Sequence, residues 1–239
     1  MTEWQRVSET LVDEIERGII AADERLPADT ELAVRFGVHK HTVRRALTDL
    51  QARGIVRSER GRGTFVVRDA IAYRLGAQIR FEESLAENRL AATRRLLSVA
   101  QFGAPGDIAQ HLQIAPGEPV LMVTMLGEAD ETPAQLVTLW FALDRTPAVK
   151  SLFENLPVDT PIELSLDSVM RHAGINSFRR KSARLECRLP ELEEARHLKI
   201  ARHDPIFEAE IPNIDDKGTV VYYSVTLYPG SRTAFVFDY

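Results

Sequence analysis

The chain has 239 residues, 44% of them hydrophobic, a net charge of -5 and a single cysteine, Cys187. That length holds one or two domains with a sizeable core, and the lone cysteine excludes an internal disulfide and a multi-cysteine zinc site, reading instead as a small buried hydrophobe. No apolar run approaches the roughly 18 residues of a membrane span, and MTEWQRVSET has neither a basic nor an apolar signal region, so a soluble, cytoplasmic protein without a membrane partner is expected.

Trp4, Val7, Leu11, Ile15 and Ile19 recur at three- and four-residue steps, predicting an amphipathic helix over 4–17 that Gly18 ends. Leu26-Pro27 leads into a short second helix capped by Asp29 or Thr30, and Gly37 supplies a tight turn. His39 to Arg53 forms a third helix, with Val43, Ala46, Leu47 and Leu50 as its apolar stripe and His41, Arg44, Arg45 and Thr48 on the other side. Gly54 stops it, and 55–60 and 64–67 read as two strands joined by Gly61-Arg62-Gly63. These elements make a first domain over 1–68.

Residues 69–93 lack a clean period and read as a linker and lead-in to a second domain over 94–239. Strands are predicted at 95–102, 119–126, 134–143, 178–188, 205–212, 219–228 and 233–238, and helices at 106–112, 148–155, 161–172 and 190–198. Ala129-Asp130-Glu131-Thr132-Pro133 and Asp215-Asp216-Lys217-Gly218 resemble hairpin turns. The pattern predicts an α+β class in which an antiparallel sheet carries helices on one side.

Charge is not spread evenly over this plan. From Arg35 to Arg68 stand nine Lys or Arg against two acids, whereas the chain as a whole is acidic. A basic island on helix, turn, helix and Gly-tipped hairpin fits a localised polyanion site, that is, double-stranded operator DNA read by a winged helix-turn-helix. The first turn of the third helix would face base edges: Lys40 and Arg44 can donate to guanine or phosphate, Thr42 can reach phosphate or a thymine methyl, and His39 and His41 complete the surface. Arg45 reads as a phosphate clamp. In the wing, Arg60 and Arg62 flank glycines that allow close approach, Arg62 could enter a minor groove, and Gly63 and Thr64 complete the tip.

LP-x-x-x-x-LA-x-x-FGV-x-x-x-TVRRAL-x-x-L-x-x-x-G-I followed by G-x-GTFV resembles the winged-helix domain of GntR-type bacterial transcriptional regulators over about residues 5–68. HKHTVRRALTDL followed by YRLGAQIRFEESLAENRL is similar to the HutC subfamily, and most to its phosphonate-metabolism regulators. The resemblance implies a UTRA-type effector-binding domain of chorismate-lyase-like fold, a small anionic effector, and a homodimeric repressor on a palindromic operator. Departures at Ala28-Asp29, Thr30 and His39-Lys40 bear on operator sequence.

For the effector, Thr160-Pro161-Ile162-Glu163 reads as a capping box at a helix N-terminus, where free N–H groups favour an anion unless Glu163 already fills the place. Arg80 and Ser84 lie in the segment that passes over the pocket in similar proteins, Arg80 offering a bidentate fit to phosphonate or phosphate or else pairing with Glu82 or Glu83. Thr138, Tyr222 and Tyr228 could supply neutral hydrogen bonds, or be ordinary half-exposed sheet residues, while Arg179 and Arg180 read as solvated. The strand 121–127 carries no basic residue where many relatives have an Arg-x-Arg pair. Either Arg80 and backbone amides hold the anion, or the effector is uncharged or a carboxylate. A retained lyase activity is the rival from another class, but the chain shows no nucleophile elbow, HExxH or Walker A. Its six histidines fall on helix surfaces or loop ends, so no catalytic residue, metal or cofactor is expected.

Overall fold

The computed structural model describes residues 2–22, 24–59, 61–67, 70–74 and 81–237. The chain divides into two compact units, Met1–Asp69 and Ala70–Tyr239.

The first unit runs α1 (Glu3–Glu16), α2 (Asp29–Phe36), α3 (Lys40–Ala52), β1 (Val56–Glu59) and β2 (Gly63–Val66). Its core is the meeting of three apolar stripes, with Val7 and Leu11 of α1, Leu32 of α2 and Val43, Ala46 and Leu50 of α3 fully enclosed. Gly37 takes φ +65° and ends α2 in the left-handed conformation that favours glycine. The cap of α2 differs from expectation: Ala28 occupies the N-cap and its N–H donates to Glu31 Oε2 at 2.7 Å, leaving Asp29 as the first helical residue with its carboxylate free for Arg44. β1 and β2 pair antiparallel from Val56↔Val66 to Glu59↔Gly63. The preceding segment ties to this hairpin, Leu26 N–H donating to Thr64 O at 2.8 Å and Val66 N–H to Glu24 O at 2.9 Å.

The second unit contains β3 (Ile71–Arg74), α4 (Phe81–Glu87), β4 (Ala92–Gly103), α5 (Gly106–Leu112), β5 (Pro119–Ala129), β6 (Thr132–Ala142), α6 (Ala148–Glu154), β7 (Pro161–Ile162), α7 (Leu166–His172), β8 (Phe178–Arg180), β9 (Arg184–Arg188), α8 (Leu192–Leu198), β10 (Ile206–Asp215), β11 (Val220–Pro229) and β12 (Thr233–Val236). An antiparallel sheet takes the order β7-β4-β5-β6-β11-β10-β8, with β9 also on β10, and β3 and β12 make a separate parallel pair. Both anticipated hairpin turns form: Asp130 and Glu131 take positive φ between β5 and β6, and Gly218 N–H closes onto Asp215 O at 3.0 Å.

Several expectations need correction. The helices do not share one side: Val149 and Phe153 of α6 and Val169 and Met170 of α7 pack with Val123, Val137 and Leu139, whereas α5 packs with Val120 and Ala142, and Leu198 of α8 with Leu126 and Leu136. These sheet residues alternate, so both faces are covered. The predicted helix 161–172 starts only at Leu166, because Pro161 and Ile162 pair with Arg95 and Arg94 of β4 and Ser165 caps the helix by accepting from Ser168 N–H at 3.1 Å. The stretch read as linker and lead-in holds β3 and α4, whose Ile71, Tyr73, Phe81 and Leu85 join an apolar cluster with Tyr228. The strand at 178–188 is interrupted at 181–183. Cys187 is exposed, on a strand whose only described partner is β10.

Replacing Leu50 with alanine empties a fully enclosed site, and a loss of about 2–5 kcal/mol is expected for the first unit. Denaturant unfolding followed by the fluorescence of Trp4 should show the shift, while probes in the second unit stay unmoved.

Candidate nucleic-acid interface and ligand cavity

On the first unit, His39, Lys40, His41, Arg44 and Arg45 all stand exposed along the start of α3. The His39 and His41 rings stack with centroids 5.9 Å apart. Arg44 Nε donates to Asp29 Oδ2 at 2.9 Å with most of the side chain in solvent, a pairing weak enough for a phosphate or base to displace. Arg45 lies over the Trp4 ring at 4.8 Å, which anchors its stem and leaves its donors outward. Thr42 departs from its expected role. It is only 6% exposed, a packing residue at the head of α3 rather than a member of the open face.

In the hairpin, the Arg62 guanidinium lies 5.8 Å from the Phe65 ring centroid and Ser58 and Thr64 share a hydrogen bond at 3.2 Å. Arg60 lies outside the described residues. Gly63 has a local reason beyond groove approach: at φ +115° an added Cβ would sit 2.6 Å from Arg25 Nε. Glycine there makes room for an exposed arginine that the sequence reading passed over, although Arg25 flanks the same basic hairpin.

On the second unit, a cavity of about 50 Å³ lies on the sheet face under α4 and α7, room for about three to five ordered waters. Its wall is polar where a sheet interior is normally apolar. Tyr222, Ser224, Thr226 and Tyr228 follow one another at alternate positions of β11, all buried, and Gln135 and Asn213 stand on the neighbouring strands. Buried polar groups without water cost free energy unless partnered, so a buried hydroxyl stripe with two arginines makes this the candidate binding cavity.

Those arginines are Arg94 of β4 and Arg180 of β8. Arg94 is 2% exposed. Its Nε donates to Glu82 Oε1 at 2.8 Å and its Nη2 lies 2.8 Å from the same oxygen, the Phe81 ring covers it at 4.9 Å, and its Nη1 has no hydrogen-bond partner among the described residues. Gly127 makes this layer possible, because a Cβ there would fall 2.7 Å from Gln135 Cγ and 2.9 Å from Phe81 Cζ. Burial pushes the Tyr228 phenol well above its ordinary pKa, with Arg180 and Arg94 pulling in the opposite direction. It is therefore a neutral donor at physiological pH. Tyr73, whose ring is 4.9 Å from that of Tyr228, is raised by burial too, and its hydroxyl has no hydrogen-bond partner among the described residues.

Of the residues singled out for a ligand, Tyr222 and Tyr228 line this cavity. Thr138 does not: it pairs with Thr124 and Val225, alternating with the cavity-facing Val137 and Leu139, so it points to the opposite face. Thr160 is exposed, and the helix N-terminus that was to place it is absent, with strand β7 in its stead. Ser84 is buried in α4 but outside the lining. Arg80 lies outside the described residues; Glu82, considered as its partner, pairs with Arg94. Arg180 lines the cavity rather than being simply solvated. Arg94 was missed because the predicted strand began one residue after it. Drawn from residue 92, the alternation with Leu96 places Arg94 on the buried face.

Among the described residues no group of three or more His, Cys, Asp or Glu is placed to hold a metal ion, and no helix is long and apolar enough to cross a membrane.

Both units match families of known proteins. Residues 4–66 match the model for bacterial regulatory proteins of the gntR family, and residues 87–234 match the UTRA domain. The chain is 30% identical to the HTH-type transcriptional repressor PhnF of Mycolicibacterium smegmatis, covering 87% of this chain and 82% of that one. It is 28% identical to the probable transcriptional regulator PhnF of Escherichia coli, covering 100% and 95%. The crystal structure of PhnF from Mycobacterium smegmatis superposes with a TM-score of 0.66 at 26% identity, covering 100% of this chain and 99% of that one. A basic helix-turn-helix followed by a unit with a polar cavity, matched in order by these two domain models, makes the chain a member of the GntR family of bacterial transcriptional regulators, of the HutC type that carries a UTRA domain.

Proposed function

We propose that the protein is a repressor that binds a palindromic operator as a homodimer and responds to a small anionic metabolite, with phosphonates and phosphate esters the first class to test. The observation that carries the ligand half is Arg94: a buried guanidinium in the wall of a cavity lined by hydroxyls, whose Nη1 has no hydrogen-bond partner among the described residues. A planar cation in a low-dielectric cleft suits an oxyanion, and neutral Tyr228, Ser224 and Thr226 can orient its oxygens. Relatives bearing the words repressor and regulator favour control of transcription over catalysis. The DNA half rests on the exposed cations of α3 and the hairpin, with Lys40, His41 and Arg44 reading and Arg45 and Arg62 gripping. Two-fold symmetry would set two such helices on successive half-sites of one duplex.

Arg44→Ala is expected to weaken operator binding by about 1–3 kcal/mol and relax discrimination at one base position, whereas Arg45→Ala should lower affinity for all sequences and reduce the salt slope by about 1. Fluorescence anisotropy against salt concentration separates the two roles, and equal loss on specific and random DNA for Arg44→Ala would remove it from the reading face. For the ligand, a thermal-shift series with methylphosphonate, glycerol phosphate and a neutral sugar should show anion-dependent stabilisation, about 2.7 kcal/mol at a hundredfold excess over Kd. Arg94→Gln should abolish the shift; stabilisation by the sugar alone would favour an uncharged effector.

A further inference from the structure

Arg94 offers its guanidinium asymmetrically. One oxygen of Glu82 takes the Nε–Nη2 edge at 2.8 Å from both nitrogens, Phe81 covers the face, and Nη1 has no hydrogen-bond partner among the described residues. An incoming oxyanion therefore meets Arg94 through Nη1 while a carboxylate already occupies the same cation. Glu82 itself lines the cavity, so ligand and carboxylate are like charges a few ångströms apart on a guanidinium that is itself withdrawn from water.

The charge balance of the cavity points the same way. Its described lining sets one acid, Glu82, beside the cations Arg94 and Arg180. The β5 strand alongside offers Met125 and Gly127 in place of further cations. A singly ionised oxyanion brings one negative charge against the Glu82 carboxylate. A doubly ionised one brings two at the same separation, so the repulsion it meets is about twice as large.

On the reading of this cavity as the effector site, on which the inference rests, we propose that Glu82 sets the charge class of the effector: the cavity selects a singly charged oxyanion over a doubly charged phosphate or phosphonate. The acceptable head groups are those with one negative charge, such as a phosphodiester, a phosphonate monoester, a sulfonate or a carboxylate. Glu82 is in this sense a specificity-determining residue that acts through Arg94.

Methanesulfonate and methylphosphonate test this directly, since both carry a methyl group on a three-oxygen tetrahedral head and, above the second phosphonate ionisation, they differ by one charge. Calorimetric titration of the full chain should give methanesulfonate a Kd at least about tenfold lower than that of methylphosphonate. Glu82→Gln, which keeps the shape and an oxygen acceptor for Arg94, should abolish or invert that preference by strengthening methylphosphonate. Glu82→Asp should retain it. A purely structural Glu82 would lower stability without changing the ratio. If Glu82→Gln leaves the ratio unchanged while Arg94→Gln still removes binding of both anions, the charge-selection proposal is overturned and the cavity reading stands. If neither anion binds the wild type or Glu82→Gln, or if Arg94→Gln has no effect on binding, the cavity reading falls and the proposal with it.

Discussion

A guanidinium withdrawn from water has to be paired, since leaving a buried charge without its partner costs about 3–5 kcal/mol. At Arg94 the pairing comes from a helix of seven residues, α4, which brings Glu82 to the edge of the cation and Phe81 to its face. Much of the second unit is arranged around that requirement. Gly127 gives up its side chain so that Phe81 can close, the β11 stripe turns its hydroxyls inward rather than to solvent, and β7 pairs with β4 at Arg94 and Arg95. Arg95, the next residue, faces the other side and spends its charge on Glu128 and Asp159.

The two units use arginine in opposite ways. In the first, the cations are exposed and held by weak partners: Arg44 by a half-buried carboxylate, Arg45 by a ring. Such contacts preserve side-chain mobility and yield readily to phosphate, which is what a surface that must find DNA by diffusion requires. In the second, the cation is fixed, buried and shared, a geometry already ordered before anything else arrives.

The helix-turn-helix was legible because its signals are local. Periodicity, Gly37 and Gly54 set the three helices to within a residue or two, and the basic positions followed from the helical repeat. The cavity was not, for a physical reason in each case. A strand of two residues such as β7 has no period to detect, so Pro161 looked like a helix start. Arg94 sat one residue outside a predicted strand, and charged residues are so seldom buried that its phase with Leu96 went unused. The Tyr222-Ser224-Thr226-Tyr228 alternation was in plain view, but period two alone does not say whether the polar side meets water or a cavity. Thr138 fell on the wrong face because it was chosen by residue type without phasing it against Val137 and Leu139. The helices 148–155 and 190–198 were found near their places, yet nothing in their own sequence tells which side of a sheet each will cover.

The parallel pair of β3 and β12 joins Ile71–Arg74 to Thr233–Val236, strands from opposite extremes of the second unit's sequence. Ile71 and Tyr73 share an apolar cluster with Phe81, Leu85 and Tyr228, and Phe235 of β12 packs against it. The first strand of the second unit is therefore covered by its last one, so a truncation that removed β12 would open part of an apolar cluster to water rather than trim a peripheral strand.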